Sequence, residues 1–132
     1  MSYFGNGSYT LSIDTVLFIH ERMLDEEGGL PGVHMDKLQG VLGRIDSAIL
    51  YEEINDLYEI AALYAITIAQ GHPFNDANKR TAMTCMLMFL RLNHIICMPP
   101  NQLIPDFLVN VAEKRLKREE IAEWLRQHSV NK

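Results

Sequence analysis

Apolar positions recur at helical spacing along most of the chain. Met1–Thr10 is polar and glycine-rich and reads as a loose arm. Ser12 can cap a helix running to about Asp25, with Ile13, Val16, Leu17, His20, Met23 and Leu24 on one face. On that face His20 reads as a packed or hydrogen-bonded core histidine rather than a ligand. Gly28 and Gly29 stop the helix, and Leu30-Pro31-Gly32 makes a turn. Asp36 can cap a second, shorter helix with Leu38, Val41, Leu42 and Ile45 inward. Asp46–Ile54 fits either a helix running from Asp46 onward or an extended, strand-like edge. Asp56-Leu57-Tyr58-Glu59 then fits a capping box, with Asp in the Ser/Thr place. The helix it opens reaches about Gln70, with Leu57, Tyr58, Ala61, Tyr64, Ala65 and Ile68 inward. Ile60, Ala62, Leu63 and Ile66 make its other faces apolar too, which predicts a central buried helix.

A further helix is predicted from about Asp76 to Leu92, its Met83, Cys85, Met86, Leu87, Phe89 and Leu90 serving as adaptable core filler. Ile95–Met98 reads as a short extended piece closed by Pro99-Pro100. Asn101 or Gln102 to Ala112 is a helix with Pro105 in its first turn. The basic cluster Lys114–Arg118 reads as a solvated loop or helix start. A last helix runs from about Arg118 to His128 on Ile121, Trp124 and Leu125. The class is all-α: a compact bundle of about six or seven helices, with at most one short hairpin.

Composition narrows the picture. The 132 residues suit one domain spanning 1–132. Hydrophobic residues at 48% and charged residues at 22% describe a soluble globular chain. A formal net charge of −5 argues against broad nucleic-acid binding. Cys85 and Cys97 lack CxxC spacing and sit in apolar settings, as reduced core cysteines of a cytosolic protein do. The start carries no apolar signal segment, and the most apolar window, Ile60–Ile68, is too short to span a bilayer. A cytoplasmic location without membrane contact is expected.

The chemistry concentrates in Gly71-His72-Pro73-Phe74-Asn75-Asp76-Ala77-Asn78-Lys79-Arg80-Thr81-Ala82. Pro73 fixes φ, Phe74 can anchor the turn to the core, and Asn75 or Asp76 can serve as N-cap of the following helix. Open backbone N–H groups at such a helix start, with the positive end of its dipole, make a phosphate site across Asn75, Asp76, Ala77, Asn78, Lys79 and Arg80. Lys79 adds a point charge and Arg80 a bidentate fork. His72 is suited to moving protons and Asp76 to holding a hard cation. A helix start with scattered surface charges would explain any one of these residues. It does not explain donors, base and metal ligand converging at one helix end.

His72-Pro73-Phe74-x-x-Ala77-Asn78-Lys79-Arg80 resembles the Fic/Doc signature H-P-F-x-x-G-N-G-R-x-x-R. The Ala-Asn-Lys-Arg variant is similar to the Doc branch, the death-on-curing toxins of toxin–antitoxin pairs. Weaker similarity lies in Gly28–Gly32, Gly43-Arg44, Tyr51–Ile54 and Asp56–Glu59, so the resemblance runs from about Gly28 to Asn93. It implies a Fic-type helical fold and transfer of phosphate from Mg²⁺-ATP to a protein hydroxyl. His72 would be the base, Asp76 would hold Mg²⁺, Asn78 would donate to a phosphate oxygen, and Lys79 and Arg80 would balance developing charge. It also implies a target-docking flap near Tyr51, Glu52, Glu53 and Ile54, and the Gly28–Gly32 turn close to the active-site mouth. The implied target is a threonine hydroxyl of elongation factor Tu.

Two departures matter. Lys79 stands where most Fic enzymes carry glycine, and Met83 where they carry a second arginine. Glycine-containing members mostly transfer AMP, whereas the lysine variant resembles the branch that transfers phosphate. AMP transfer and a non-catalytic binding module acting with an antitoxin are the alternatives. The inhibitory pattern [S/T]-x-x-x-E-[G/N] found in several Fic proteins is absent, which implies control by an antitoxin in trans. Gln70 has no part in this scheme.

Overall fold

The computed structural model describes residues 2, 3 and 9–131. Its element order is β1 (Ser2–Tyr3), β2 (Tyr9–Thr10), α1 (Ile13–Glu27), α2 (Met35–Tyr51), α3 (Leu57–Gly71), α4 (Asn78–Leu92), β3 (Ile95–Cys97), a 3₁₀ turn (Asn101–Leu103), α5 (Ile104–Ala112), α6 (Arg118–Gln127) and β4 (Ser129–Asn131). The all-α expectation holds, with six α-helices among the described residues and only two-residue or three-residue strands beside them.

α3 is the centre, as its all-round apolar pattern predicts. Ile60, Ala61, Ala62, Tyr64, Ala65, Ile68 and Ala69 are buried, and α2, α4, α5 and α6 pack around it. Its alanines let neighbouring backbones approach, and α4 lies along it through Met86, Phe89 and Leu90. Gln70, unexplained by sequence, donates from Nε2 to the Val111 carbonyl at 2.9 Å and ties the end of α3 to α5. Phe107 and Trp124 stack with centroids 3.9 Å apart and join α5 to α6. Cys85 is buried, Cys97 is partly buried, and both are free thiols. Among the described residues no helix is long and apolar enough to cross a membrane.

Several local expectations are corrected. The arm at Met1–Thr10 contains an antiparallel ladder, Ser2↔Thr10 and Tyr3↔Tyr9; its positions 1 and 4–8 lie outside the described residues. Asp36 does not cap α2, which starts at Met35 with His34 in the cap position and no side-chain cap bond. Asp46–Tyr51 continues α2, giving one 17-residue helix, and no strand forms at 51–54. The extended segment lies earlier, where Val33 bridges Phe74 antiparallel. Only half of the capping box forms: Asp56 accepts from the Tyr58 N–H at 2.8 Å, while Glu59 turns to Arg118 Nε at 3.1 Å. Within the basic cluster Arg118 is thus ion-paired to Glu59 and Glu52, and Arg115 to Glu113. The C-terminal strand β4, which the sequence pattern did not suggest, pairs with β3 from Ile95↔Asn131 to Cys97↔Ser129.

The start of the chain is held to α3 by one buried bond. The Tyr64 hydroxyl accepts from the Leu11 N–H at 2.9 Å, with Tyr64 1% exposed and Leu11 5%. Tyr64→Phe keeps the ring and orphans the buried N–H, so it should destabilise the fold by about 1–3 kcal/mol. A urea midpoint unchanged at constant slope would show that the bond contributes nothing.

Candidate active site

The turn between α3 and α4 is built against local preference. α3 ends at Gly71, but the left-handed residue is His72, at φ 49° and ψ 56°. A second, Ala77, occupies the N-cap of α4 at φ 66°. A left-handed non-glycine residue costs about 1–2 kcal/mol. Opposing this, Phe74 is buried and stacks on His20, centroids 3.7 Å apart and planes 6° apart. Full burial of such a ring contributes about 1.5–3 kcal/mol. Asn78 clamps the same residue from both ends: Oδ1 accepts from the Phe74 N–H at 3.0 Å and Nδ2 donates to its carbonyl at 2.9 Å. At about 1 kcal/mol per bond, these terms outweigh the strain and leave His72 exposed at the rim. Phe74 is the anchor the sequence suggests, and His20 is the core histidine it suggests, bonded through Nε2 to the Asp76 carbonyl at 3.0 Å.

With Ala77 at the cap, neither Asn75 nor Asp76 caps α4 as expected, and the N–H groups of its first turn have no side-chain cap. Those donors face a cleft of about 370 Å³ lined by His72, Asn75, Asp76, Ala77, Asn78, Lys79, Arg80 and Ala112. The structure thus gathers every proposed catalytic and phosphate-binding residue into one place. Lys79 is exposed and has no ion-pair or hydrogen-bond partner among the described residues. Arg80 is turned to the end of α1, with Nη1 3.3 Å from Glu27 Oε1 and Nη2 donating to the Gly28 carbonyl at 3.3 Å. Tyr51, Glu52, Glu53 and Ile54 are not brought to the cleft. Tyr51 ends α2 exposed to solvent, Glu52 pairs with Arg118 at 3.4 Å, and Ile54 is buried.

The loop 28–34, expected near the mouth of the site, is fastened across this turn by side-chain and backbone bonds. The Leu30 N–H donates to Asp76 Oδ2 at 3.1 Å, and Asn75 Nδ2 donates to the Pro31 carbonyl at 3.1 Å. The backbone exchanges Asn75 N–H to Gly32 O at 3.1 Å and His34 N–H to Pro73 O at 2.8 Å. His34 Nε2 lies 2.8 Å from Asn75 Oδ1. A Cβ on Gly32 would collide with the Asn75 side chain, and its φ of 128° suits only glycine. The glycine run Gly28–Gly32 was the available signal: close backbone approach needs residues without side chains. Asn75 is therefore a strap holding the loop.

Asp76 accepts two backbone N–H groups, from Leu30 and from Ala77 at 2.8 Å. Those bonds, aided by Arg80 and His20, hold its carboxyl below the ordinary carboxylate range. Each oxygen keeps a lone pair, so the carboxylate can still serve as one ligand of a hard cation. No group of three or more His, Cys, Asp or Glu converges among the described residues. A metal here would complete its shell with substrate oxygens and water, as Mg²⁺ commonly does.

Comparison with known proteins points the same way. The model for the family described as "Fic/DOC family" matches residues 10–90. The chain is also similar to Protein kinase doc of Escherichia phage P1, at 36% identity over 118 residues, covering 89% of this chain and 93% of that protein.

The depressed carboxyl has a measurable consequence. A group held below its unfolded value contributes stability above that value and loses it as pH falls through the folded one. The Asp76 carboxyl carbon, followed by NMR, should titrate with a midpoint below 3.8. Asp76→Asn should remove that part of the acid limb of unfolding. A midpoint at or above 3.8 would mean that the backbone bonds do not hold the anion.

Proposed function

The chain belongs to the Fic/DOC family, and from that premise we propose that it is the toxin of a toxin–antitoxin pair, a cytoplasmic protein kinase that uses Mg²⁺-ATP. The observation that carries this reading is the convergence of His72, the Asp76 anion, the unpaired Lys79 and the uncapped start of α4 on one cleft. The relative named Protein kinase doc supports phosphate as the group transferred. The acceptor is a threonine or serine hydroxyl of a translation factor, elongation factor Tu in the Doc branch, and its modification stops translation. An antitoxin in trans restrains the enzyme.

The residues divide the work as phosphoryl transfer requires, with positioning and charge stabilisation ahead of covalent chemistry. The N–H groups of Asn78, Lys79 and Arg80 and the Lys79 ammonium receive the phosphate oxygens. The Asn78 amide is largely engaged in holding Phe74, so its part is to fix the turn, with one amide hydrogen left for a phosphate oxygen. Arg80 must share its fork with Glu27, a half-exposed pair worth about 1 kcal/mol or less, which a phosphate bearing more charge can displace. Asp76 would hold Mg²⁺, which when bound supplies neutralising charge to the phosphates. His72 takes the proton from the incoming hydroxyl as its oxygen bonds to the γ-phosphorus and the bond from that phosphorus to the β-bridging oxygen breaks, releasing ADP.

Lys79 is the residue that selects the group transferred. Glycine at this position lets the polyphosphate approach the backbone and the α-phosphate reach the base. Lysine fills that space and sets the γ-phosphate beside His72, and Met83, buried at 6% exposure, offers no second guanidinium to hold outer phosphates. ATP labelled on the γ-phosphate should pass its label to elongation factor Tu, and ATP labelled on the α-phosphate should not. Transfer of the α-label would replace this reading with AMP transfer. His72→Ala should fold normally and lose transfer by about 100-fold or more, as removal of a positioned base does. Lys79→Gly should lose γ-transfer without gaining α-transfer. A His72→Ala enzyme working at the wild-type rate would remove the base from the scheme.

A further inference from the structure

Among the described residues five arginines are ion-paired and two, Arg44 and Arg91, are not. Arg22, Arg80, Arg115, Arg118 and Arg126 each face a carboxylate. Arg44, exposed in the middle of α2, has no carboxylate or hydrogen-bond partner among the described residues. Its guanidinium lies against two residues that lack side chains. A Cβ on Gly71 would stand 3.2 Å from Nη2, and one on Gly40 would stand 3.9 Å from Nη1. Lys37, Gly40 and Arg44 share one face of α2 by their spacing. With Asp36 and Gly71 they line a second cleft of about 330 Å³. It shares no lining residue with the first, yet its wall at Gly71 is the chain neighbour of His72 in the other.

A cation near the C-terminal end of α3 could simply complement the helix dipole. That role uses only the charge and leaves the N–H donors free, since among the described residues none of them bonds a carbonyl of α3. The fork stays open to the cleft.

We propose that this second cleft binds a carboxylate side chain of the acceptor protein and so selects hydroxyls that have an acidic neighbour. The location of the hydroxyl rests on the kinase reading above; the anion site itself does not. Charge decides the ligand class. Lys37 and Arg44 against Asp36 leave one net positive charge, which one carboxylate matches. A polyphosphate would meet Asp36 in the same space, and its own donors lie across the turn at Lys79 and the start of α4. The planar fork of Arg44 suits a carboxylate bidentately, with Lys37 as a point charge beside it.

The test uses the full chain and two probes. The first is a capped pentapeptide with glutamates around one threonine, compared with its glutamine analogue by amide NMR. The glutamate peptide should move the Gly40, Gly71 and Arg44 Nε resonances and the analogue should not, and Arg44→Gln should abolish the response. Equal shifts with both peptides, or shifts that persist in Arg44→Gln, overturn the proposal. Lys37→Gln, a change on an exposed face, carries the same test if Arg44→Gln does not fold. The second probe is elongation factor Tu with γ-labelled ATP. Arg44→Gln should raise KM for the protein about tenfold, the scale of a lost charge-assisted bond, and leave KM for ATP unchanged. A matching rise in KM for ATP would assign the cleft to the nucleotide and overturn the proposal. If the wild type transfers no label, the kinase reading on that acceptor fails, and the peptide titration alone decides the cleft.

Discussion

The buried ring of Phe74 is the constraint on which the site depends. It fixes one point of a constrained path: a chain leaving α3 must reverse, expose an imidazole and enter α4 with its first N–H groups open. Two left-handed residues, His72 and Ala77, make that path, and neither is glycine. They persist because Phe74 is packed on His20 below and held by Asn78 on both sides. Strain of this kind survives only where surrounding contacts over-determine it. Here those contacts come from α1, α4 and the turn itself, so the rim residue is positioned by the core.

The same economy shapes the electrostatics. The chain carries a net charge of −5, yet the cleft lining sets Lys79 and Arg80 against a single carboxylate. Screening confines surface fields to within about 8 Å at physiological ionic strength, so the local donors decide. Asp76 is the one acidic group in that lining, and two backbone N–H groups already neutralise part of its charge. An anion so held can face a cation without repelling a neighbouring phosphate strongly. The loop 28–34 supplies one of those N–H groups, which links the state of Asp76 to the position of the loop.

Much of this was legible in the sequence, for reasons that differ by level. Helical periodicity placed α1, α3, α4, α5 and α6 to within a few residues, because each has a continuous apolar face. The all-round apolar pattern of Leu57–Gly71 marked the central helix, since only a helix surrounded by others can bury every side. The motif from His72 to Arg80 identified the cleft because the residues are local in sequence. What failed was non-local. Whether Asp46–Tyr51 continued α2 depended on packing against α3. The cap of α4 fell to Ala77 because Asp76 and Asn75 were committed to a loop more than forty residues earlier. Glu59 left its capping box for Arg118, and β4 needed β3 as a partner. In each case a distant side chain or strand overrode a sound local preference.

The central claim is that Lys79 and the uncapped start of α4 place the γ-phosphate, rather than the α-phosphate, beside His72. The most direct measurement is a crystal structure of the protein with Mg²⁺ and a non-hydrolysable ATP analogue. The account predicts the γ-phosphorus as the phosphorus nearest His72, with room for a hydroxyl about 3–3.5 Å from it in line with the bond to be broken. An α-phosphorus in that position, with the γ-phosphate deep against α4, would contradict it.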